Sequence, residues 1–503
     1  MKPFDSVKLT AAKSKDALFF LKVRNQTSVR AASFQTAVIE KESHLKWYRQ
    51  ALLNPQTALF IIWKGMTPAG TLRLNRMGSD KAEVHLALLD SMRRQGAGTA
   101  AVQAAVKWVA AQKVWKVKQV LAHIKKENKA SVRCFEKAGF QLCGSTRING
   151  EKCLRFAFKY FNFLTLVDAG RVSGLGHLMR QNALAHELSA RGHRITFGIR
   201  HLPQDRKNLK KFFMDIKNSN INWHPGNPNI RTQINLCRPD AVIWDALAFD
   251  VYDWSRSVRK SGLPVFAVGN YPSLPGWIRY CVNPYTRTKL SSHKSKLESS
   301  PAYCVLSDEF VHARSVIKKR LFKSAGKSGL LIIPGGGNTN GMIFKIVKAL
   351  ETIPAAVRVT IVCGAFFTEI EKLKSEIKKL KCRIDIEQNI SSSEMTQLML
   401  KNDLALVSYG RSIDEARALG LPVLILSSSP LNALGAKHAE KQGGVKYLGD
   451  FDRLKVPQIS AAISGWLNSP PMRRKLSESG MTAVDGAGCV RTADWIEKEL
   501  TLL

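Results

Sequence analysis

The chain has 503 residues, which is too long for one hydrophobic core, so two or three domains are expected. It carries 77 Lys and Arg against 39 Asp and Glu, a formal charge of +38 that favours anionic partners. Nine cysteines without a CxxC pair argue against a zinc ribbon, and no run approaches the ~18 apolar residues of a membrane span.

The positive charge does not name a ligand by itself. Basic runs at 206–211, 318–327 and 372–381 are dispersed, and no RNA-binding aromatic motif accompanies them, so nucleic acid is not the expected partner. The N-terminal segment has no apolar core of signal-peptide length, and the scattered cysteines fit a reducing compartment. We therefore expect a cytoplasmic protein without a membrane segment or a metal site. Its oligomeric state is left open.

The first domain, expected over residues 1–160, contains a glycine turn between a strand at 86–89 and a helix at 99–112. Consecutive backbone N–H groups on such a turn can bind a pyrophosphate. The residues of the turn, which are candidate cofactor contacts, are Arg93, Arg94, Gln95, Gly96, Ala97 and Gly98.

Residues downstream of this turn relate the domain to a known family. A strand at 120–124 is followed by Asn128, Ser131 and the sequence Phe-Glu-Lys-Ala-Gly-Phe at 135–140. This pattern resembles the GCN5-related N-acetyltransferases (GNAT), and the likeness covers nearly all of 17–158. The resemblance implies acetyl-CoA as the cofactor, with Asn128 at its arm. Residues that fit the branch acetylating amino sugars or protein amino termini are Arg24, Asn25, Arg30, His44 and Trp47.

Two polar residues of the strand before the turn are candidates for the proton chemistry of this reaction. An amine must be neutral to attack a thioester, so a group has to take its proton. Glu83 and His85 share one face of the strand by period-two alternation, and either could act, or both could be ordinary polar residues of a strand. Phe135 stands where many family members carry a tyrosine acid, so another group or water must protonate the thiolate.

The second domain, expected over 161–315, opens with a strand at 163–167 that ends at Asp168. A turn with Gly174 and Gly176 follows, then His177 and an amphipathic helix, and a second strand begins at 194. Strand, glycine turn, helix and strand are the opening of a doubly wound α/β domain. In that fold ligands bind at the carboxyl ends of the strands.

The motif in this turn resembles that of the UDP-sugar hydrolase of pseudaminic acid biosynthesis, which folds like two-lobed (GT-B) glycosyltransferases. The resemblance rests on Asp168, Gly174-x-Gly176-His177 and Arg180. It implies that His177 is the base activating water, that Asp168 is a second catalytic residue, and that Gly174, Gly176 and Arg180 contact substrate. His177 could instead be a helix-capping or buried histidine. Unlike the family, the strand at 265–268 is followed by Gly-Asn rather than acidic residues.

The third domain, expected over 316–503, contains two further strand-end turns. The first, suited to a diphosphate, consists of Gly335, Gly336, Gly337 and Asn338. The second follows a strand at 403–408 and contains Gly410, Ser412 and Glu415, ahead of Gly-x-Pro at 420–422. In GT-B families this pattern forms the nucleotide-sugar site, where the glutamate accepts hydrogen bonds from the ribose hydroxyls. Asn432 is a shifted match to a further substrate-binding asparagine of the family.

The predicted fold is therefore α/β, with an N-terminal GNAT domain followed by a two-lobed, Rossmann-like GT-B domain. The two resemblances together imply a bifunctional enzyme that acetylates a UDP-4-amino-sugar and then hydrolyses the product to UDP and a free diacetamido-trideoxyhexose for a nonulosonic acid. No metal is needed for this chemistry. Three alternatives stay open: a glycosyltransferase in the second half, a non-catalytic nucleotide-sugar-binding module there, or an RNA-associated acetyltransferase.

Overall fold

The structure is a computed structural model that describes residues 7–112, 114–115, 117–171, 173–210, 219–225, 230–246, 253–285, 295–317, 328–335 and 340–503. The basic run at 318–327, Lys211, and Gly336, Gly337 and Asn338 of the expected diphosphate turn lie outside these residues. The chain divides into two compact units. The first comprises Met1–Phe161 with Ala190–Arg194, and the second comprises Asn162–Ser189 with Ile195–Leu503.

The first unit is built on a seven-stranded sheet with helices on both faces. Its strands and helices are β1 (Val7–Ala11), α1 (Ala17–Asn25), α2 (Thr27–Ala31), α3 (Lys41–Leu53), β2 (Thr57–Lys64), β3 (Thr67–Met77), β4 (Lys81–Leu88), α4 (Ala97–Ala111), β5 (Gln119–Lys125), α5 (Lys129–Lys137), β6 (Gln141–Ile148) and β7 (Glu151–Lys159). The strand order is β1-β2-β3-β4-β5-β7-β6. Only β4 and β5 pair in parallel, whereas the other strand pairs are antiparallel.

The two faces of this sheet have separate cores. Leu72 and Leu74 of β3 pack with the apolar residues of α4, and period-two alternation turns the residues between them to the other face. There, Leu59 and Ile61 of β2 pack with Phe20 of α1 and with residues of α3. The glycine turn before α4 therefore lies on one side of the sheet, and α1 and α3 cover the other side.

Strands β4 and β5 separate part-way along their length. Lys81, Ala82 and Glu83 of β4 pair with the start of β5, and the register ends there although β4 continues to Leu88 and β5 to Lys125. The sheet is therefore forked beyond Glu83. Backbone groups that follow the point of separation on these two strands do not pair with each other.

The second unit begins with a seven-stranded sheet of doubly wound type. Its elements are β8 (Asn162–Asp168), α6 (Gly176–Ala190), β9 (Arg194–His201), α7 (Arg206–Lys210), β10 (Ser219–Pro225), α8 (Arg231–Cys237), β11 (Ala241–Asp245), α9 (Asp253–Ser261), β12 (Val265–Val268), β13 (Tyr280–Val282) and β14 (Lys296–Glu298). The order is β10-β9-β8-β11-β12-β13-β14, so the chain reverses direction across the sheet between β8 and β11. That junction is the topological switch point, where such folds bind ligands.

A second doubly wound sheet repeats this order with six parallel strands. After α10 (Asp308–Val316) its elements are β15 (Gly329–Ile333), α11 (Asn340–Ala349), β16 (Arg358–Cys363), α12 (Ile370–Ile377), β17 (Arg383–Gln388), α13 (Ser392–Lys401), β18 (Leu404–Ser408), α14 (Ser412–Ala418), β19 (Val423–Ser427), α15 (Pro430–Gln442), β20 (Val445–Asp450), α16 (Val456–Leu467), α17 (Pro470–Ala483) and α18 (Gly488–Thr501). The order β17-β16-β15-β18-β19-β20 places its switch point between β15 and β18.

The last helix returns to the first of these two sheets. On α18, Trp495 packs edge-on against Phe266 of β12 and Tyr280 of β13, and Glu499 pairs with Lys296 of β14. The second unit is thus two Rossmann-like lobes tied together by the C-terminal helix. The predicted α/β architecture, a GNAT-type sheet followed by a two-lobed GT-B fold, is confirmed.

Candidate active sites

In the first unit, the two residues predicted for the proton chemistry lie on β4, at the point where β4 and β5 separate. Glu83 stands where the strands separate, and its carboxylate lies 3.3 Å from Nε2 of His85. The other carboxylate oxygen accepts a hydrogen bond of 2.6 Å from Nδ1 of His123 on β5. His123 was not anticipated from the sequence. The imidazoles of His85 and His123 therefore both contact the carboxylate of Glu83.

The surroundings set the charge states of this cluster. Burial works to raise the pKa of Glu83, but the hydrogen bonds and charges of His85 and His123 outweigh it and hold that pKa at about 2. Burial lowers the pKa of His85, with Glu83 opposing and Arg73 adding to the effect. At neutral pH Glu83 is thus ionised and a weak base, whereas His85 is neutral and able to accept a proton.

The turn after β4 has the backbone shape expected of an anion-binding loop. Arg94 has φ +59° and Gly96 has φ +78°, so N–H groups along the turn alternate in direction and can converge. The helix begins at Ala97, two residues earlier than predicted, which places Ala97 and Gly98 in its first turn. At Gly98 a Cβ would lie 3.0 Å from Sγ of Cys134, so glycine is needed for close packing.

The long side chains of the turn make contacts at its rim. Nε of Arg93 lies 3.2 Å from the carboxylate of Asp90, and Gln95 accepts a hydrogen bond of 2.7 Å from Nζ of Lys64. Asn128, predicted at the cofactor arm, caps α5 by accepting a hydrogen bond of 3.1 Å from the backbone N–H of Ser131. These contacts occupy the long side chains at the rim, and binding of a pyrophosphate by the backbone of the turn stays a prediction.

The expected absence of a tyrosine acid has a structural counterpart at Phe135. Its ring is buried and packs edge-on against Phe140 at 5.0 Å between ring centroids. The side chain belongs to the core between the sheet and α4. A phenyl ring has no proton to donate, so the leaving thiolate of this reaction must be protonated by another group or by water.

In the second unit, the first switch point brings His177 against a carboxylate. His177 is the second residue of α6, which follows β8, and Asp245 is the last residue of the neighbouring strand β11. Nδ1 of His177 lies 2.6 Å from Oδ1 of Asp245. Because an ionised carboxylate only accepts hydrogen bonds, Nδ1 must be the donor, and Nε2 of the neutral ring then carries the free lone pair.

Asp245 is fully buried and held by two further donors. Arg180 donates to both of its carboxylate oxygens, at 2.8 and 2.7 Å, and Gln181 donates to Oδ2 at 2.8 Å. Burial works to raise the pKa of Asp245, but the charges of Arg180 and His177 and their hydrogen bonds prevail and lower it. The cluster therefore contains a fixed anion that orients one imidazole. Arg180 binds that anion, and one of its guanidinium nitrogens also lies 3.3 Å from Nδ1 of His177.

A glycine completes the wall of this cluster. Gly269 has φ +158°, and a Cβ there would lie 2.8 Å from Oδ1 of Asp245 and 3.0 Å from a guanidinium nitrogen of Arg180. The position therefore has no room for a side chain. This explains physically why the strand β12 is followed here by glycine.

The structure pairs Asp168, predicted to act with His177, with a different residue. Arg200 of the neighbouring strand β9 donates to both carboxylate oxygens, at 2.6 and 2.5 Å, and Asp168 is buried. The turn that follows is closed by hydrogen bonds of 3.1 and 2.7 Å between the backbones of Gly170 and Gly174. Gly176 then begins α6. The partner of His177 is Asp245, which was not among the residues predicted for the site.

The second switch point carries an arginine–glutamate pair. Arg411 and Glu415 of the β18–α14 segment hydrogen-bond to each other, and both side chains are more than nine-tenths buried. Gly410 and Ser412 flank Arg411, and Gly335, with φ +111°, follows the adjacent strand β15. The carboxylate predicted to bind ribose is thus already paired, and Arg411 was not singled out from the sequence.

Asn432 lies at the start of α15, beyond the neighbouring strand β19. Its amide donates a hydrogen bond of 3.0 Å to Oγ of Ser428, and its backbone N–H donates to the capping hydroxyl of Ser429 at 3.2 Å. The helix start is therefore organised by its own side chains. Whether Asn432 binds substrate stays a prediction.

Contacts between the two lobes join the two switch points. Tyr409, which follows β18, donates a hydrogen bond of 3.3 Å to the carbonyl of Tyr285 in the first lobe. Gln442 of α15 donates to the carbonyl of Pro284 at 3.2 Å. The guanidinium of Arg180 lies 5.2 Å from the ring centroid of Tyr285. The cluster that holds His177 is therefore in contact with the segment that leads to Glu415.

Metal-binding clusters and membrane-spanning helices are both absent from the described residues. Across them, no group of three or more His, Cys, Asp or Glu side chains is arranged to hold a metal ion. In the same part of the chain, no helix has the length and apolar character needed to cross a membrane.

Comparison with known proteins supports the interpretation of the first unit. Residues 7–141 match the family described as the acetyltransferase (GNAT) domain. The first unit contains a GNAT acetyltransferase domain. The match confirms the predicted acetyltransferase domain and, with it, acetyl-CoA as the cofactor, while the turn at 93–98 as its binding site stays a prediction.

Two curated relatives match with low identity. The spore coat polysaccharide biosynthesis protein SpsG of Bacillus subtilis is 28% identical over 214 residues, which is 41% of this chain. The uncharacterized protein MJ1062 of Methanocaldococcus jannaschii is 27% identical over 282 residues, or 53% of this chain. The matched segments span 60% and 55% of the lengths of these two relatives.

Solved structures resemble each part of the chain. The aminoglycoside acetyltransferase AAC(6′)-Ib in complex with ribostamycin and coenzyme A matches 31% of this chain and 94% of its own, at 16% identity and a TM-score of 0.29. MurG of Acinetobacter baumannii matches 67% of this chain and 99% of its own, at 15% identity and a TM-score of 0.45.

Proposed function

We propose that the chain is a bifunctional nucleotide-sugar enzyme. The acetyltransferase domain transfers an acetyl group from acetyl-CoA to the 4-amino group of a UDP-amino-sugar. The second unit then hydrolyses the UDP-diacetamido-trideoxyhexose to UDP and the free sugar, a step that serves nonulosonic acid synthesis of the pseudaminic type. The observation that carries the hydrolytic step is the oriented His177–Asp245 pair at the switch point of the first lobe.

In the acetylation step, His85 is the base that the geometry favours. Its neutral imidazole accepts the proton of the amine as the nitrogen attacks the thioester carbonyl, and the C–S bond breaks to release CoA thiolate. Glu83 holds His85 by charge and hydrogen bonding, because a carboxylate with a pKa of about 2 is too weak a base for this proton. The turn at 93–98 binds the pyrophosphate of acetyl-CoA.

In the hydrolytic step, Nε2 of His177 accepts a proton from water as the water oxygen attacks C1 of the sugar. The bond between C1 and the phosphate oxygen breaks, and UDP leaves as an anion. Since UDP is a good leaving group, the second carboxyl group of ordinary glycosidases is not needed. A single displacement inverts the configuration at C1. Glu415 binds the ribose, and the turn beginning at Gly335 binds the diphosphate.

A second candidate for the second unit is a glycosyltransferase, in which a sugar hydroxyl replaces water. The likeness to SpsG, which is named for spore coat polysaccharide biosynthesis, supports the glycosyltransferase. In that case the His177–Asp245 pair would take the proton of the acceptor hydroxyl. The two candidates differ in one respect that can be measured, which is whether UDP is released when no sugar acceptor is present.

The test is to incubate the full chain with acetyl-CoA and UDP-4-amino-sugars and to follow the products by mass spectrometry. We expect an acetylated UDP-sugar first and then UDP with the free diacetamido sugar. The double substitution Gly96→Glu and Gly98→Val should stop acetylation but leave the release of UDP from a pre-acetylated substrate unchanged. If UDP is released only when a sugar acceptor is present, the second unit is a glycosyltransferase and not a hydrolase. If no acetylated product forms, the proposed acetylation step is wrong.

A further inference from the structure

The acetyltransferase unit holds three arginines that the acetyl-CoA turn does not use. Arg73 lies on β3, opposite His85 in the pairing with β4 and opposite Leu59 in the pairing with β2. It therefore stands on the face covered by α1 and α3, not on the face of α4. Arg24 and Arg30 come from α1 and α2.

Arg73 has donors that the protein does not satisfy. Its guanidinium lies 5.6 Å from the ring centroid of Trp47, and its Nε is buried without a hydrogen-bond partner. Burial lowers the pKa of Arg73, while Glu83 opposes this and Arg24 adds to it. The protein therefore keeps a partly desolvated cation next to the fork of the sheet.

Arg24 and Arg30 add positive charge on the same side of the sheet as Arg73. One terminal nitrogen of Arg24 donates to the carbonyl of Gln35 at 2.6 Å, and the other is buried without a partner. Burial and the charge of Arg30 lower the pKa of Arg24. Arg30 donates only to backbone carbonyls, of Asn25 at 3.3 Å and of Thr36 at 3.1 Å.

The surrounding carboxylates do not balance these cations. Among the described residues, none of the three arginines has a carboxylate within ion-pair distance. Glu83 acts on Arg73 through its charge from beyond ion-pair distance, while its carboxylate oxygens contact His85 and His123. Burying cations without enough counter-charge is costly, and one carboxylate cannot balance three guanidinium groups, so their position beside a reaction site indicates a ligand that supplies the remaining negative charge.

We propose that Arg24, Arg30 and Arg73 form an anion-binding subsite for the acetyl acceptor and that the anion is a phosphate group. Guanidinium groups suit phosphate because several N–H donors can meet its oxygens at once. In the proposed function the phosphates are those of the UDP-amino-sugar, so this inference deepens that function and rests on it for the identity of the acceptor. The subsite is separate from the acetyl-CoA turn, which lies on the side of α4.

The subsite also predicts what the enzyme rejects. A polyamine acceptor would bring positive charge next to three guanidinium groups, and like charges repel each other strongly where they are partly removed from water. An uncharged amino sugar would fit but would leave the arginines without a counter-ion. The expected order of acceptors is therefore the phosphate-bearing amine, then the neutral amino sugar, then the polyamine.

The experiment compares acetylation by the full chain of the UDP-4-amino-sugar, the same sugar without UDP, and spermidine. Arg73→Gln should lower kcat/KM for the UDP-sugar about 10- to 100-fold, mainly through KM, because charge-assisted hydrogen bonds to phosphate are lost. The KM for acetyl-CoA should stay unchanged. Arg147→Gln removes the same charge from an exposed hairpin of the same unit and is the matched control. Arg24→Gln serves if Arg73→Gln does not fold.

The outcomes separate this inference from the proposed function. If the UDP-sugar is not acetylated but glucosamine 6-phosphate is preferred over glucosamine, and Arg73→Gln removes that preference, the inference stands and the proposed acceptor is wrong. Equal efficiency with spermidine or neutral amines would overturn the inference, as would an unchanged preference in Arg73→Gln. Failure to acetylate any phosphate-bearing amine would overturn both.

Discussion

The chain holds two histidine–carboxylate clusters that are built differently. In the second unit, His177 pairs with Asp245, which is fully buried and neutralised by two hydrogen bonds from Arg180. In the first unit, the carboxylate of Glu83 has no arginine on it and is shared between His85 and a second imidazole. Asp245 thus contacts one imidazole, that of His177, whereas Glu83 contacts two, those of His85 and His123.

The difference indicates what each carboxylate can do for its histidine. The charge of Asp245 is largely spent on Arg180, so its main effect on His177 is to fix the ring and the position of its proton. Glu83 has no such partner, and its charge raises the proton affinity of His85 against the effect of burial. We therefore expect substitutions at Asp245 to change geometry and rate, and substitutions at Glu83 to change the pH dependence of the reaction.

The largest effect is expected from removing the imidazole of the second unit. His177→Asn keeps a polar side chain of similar size but cannot accept the proton of water. UDP release should fall by ~10²–10⁴-fold in kcat, the usual contribution of a general base, while binding of the UDP-sugar is retained. Steady-state kinetics together with calorimetric binding measure the two effects separately.

The acetylation step is the internal control for this variant, since its rate should match that of the native chain. An increase confined to KM, with kcat unchanged, would mean that His177 only binds substrate. Full UDP release by His177→Asn would remove the proposed mechanism and leave the glycosyltransferase or a binding module as the better account of the second unit.

A smaller effect is expected from the carboxylate that positions His177. Asp245→Asn removes the fixed anion and can present an N–H to Nδ1, which favours the wrong tautomer. We expect kcat for UDP release to fall about tenfold or more, since a charge-assisted hydrogen bond contributes about 1.5–3 kcal/mol. The variant also leaves Arg180 buried without a counter-charge, so its thermal stability should fall.

Asp168→Asn is the matched control because it breaks a second buried aspartate–arginine pair of the same lobe, with Arg200. It should lose stability to a similar degree and keep more of the activity per folded molecule. An equal loss of kcat in both variants would show that Asp168 has the catalytic importance predicted for it from the sequence, or that stability alone explains the effect of Asp245→Asn. Activity per folded molecule at several temperatures distinguishes these.

Local elements were predictable because their signals are local. The glycine turn and apolar helix after β4 predicted a helix at 99–112, and the structure has α4 at Ala97–Ala111. The strand at 163–167 and the helix after His177 were likewise predicted from periodicity and glycine positions. The two Rossmann-like lobes followed from the GT-B resemblance, and the two doubly wound sheets agree with it.

The partners of the site residues could not be predicted because they are distant in sequence. Asp245 is 68 residues from His177 and meets it only because β8 and β11 are neighbours at the switch point. His123 is 40 residues from Glu83 and meets it where β4 and β5 separate. An aspartate ending a strand, like Asp168, was the available signal for Asp245, but nothing in the sequence says which of the two faces the histidine.

Glu415 in the second lobe extends the comparison to a third carboxylate, whose partner is an arginine rather than a histidine. Glu415→Ala should weaken UDP binding about tenfold through the loss of hydrogen bonds to the ribose. Arg411→Gln removes the ion pair but keeps the carboxylate, so it should retain more of the UDP affinity. Calorimetric titration of both variants with UDP gives the comparison. An equal loss in both would mean that the pair is structural and that Glu415 does not bind ribose.

The smallest effect is expected at Glu83, and it decides which residue of the fork takes the proton of the amine. Burial lowers the pKa of His85 and Glu83 opposes that shift, so the acid limb of the acetylation rate should lie below pH ~6.5, the ordinary histidine value. Removing the carboxylate as Glu83→Gln leaves burial unopposed, so the limb should move to still lower pH with the plateau rate largely kept. Glu151→Gln, which removes an exposed carboxylate paired with Lys125 on the same sheet, should leave the limb in place. If Glu83 were itself the base, Glu83→Gln would instead lose most of its rate at every pH. A limb that moves upward would mean that Glu83 does not stabilise the charged form of His85 at all.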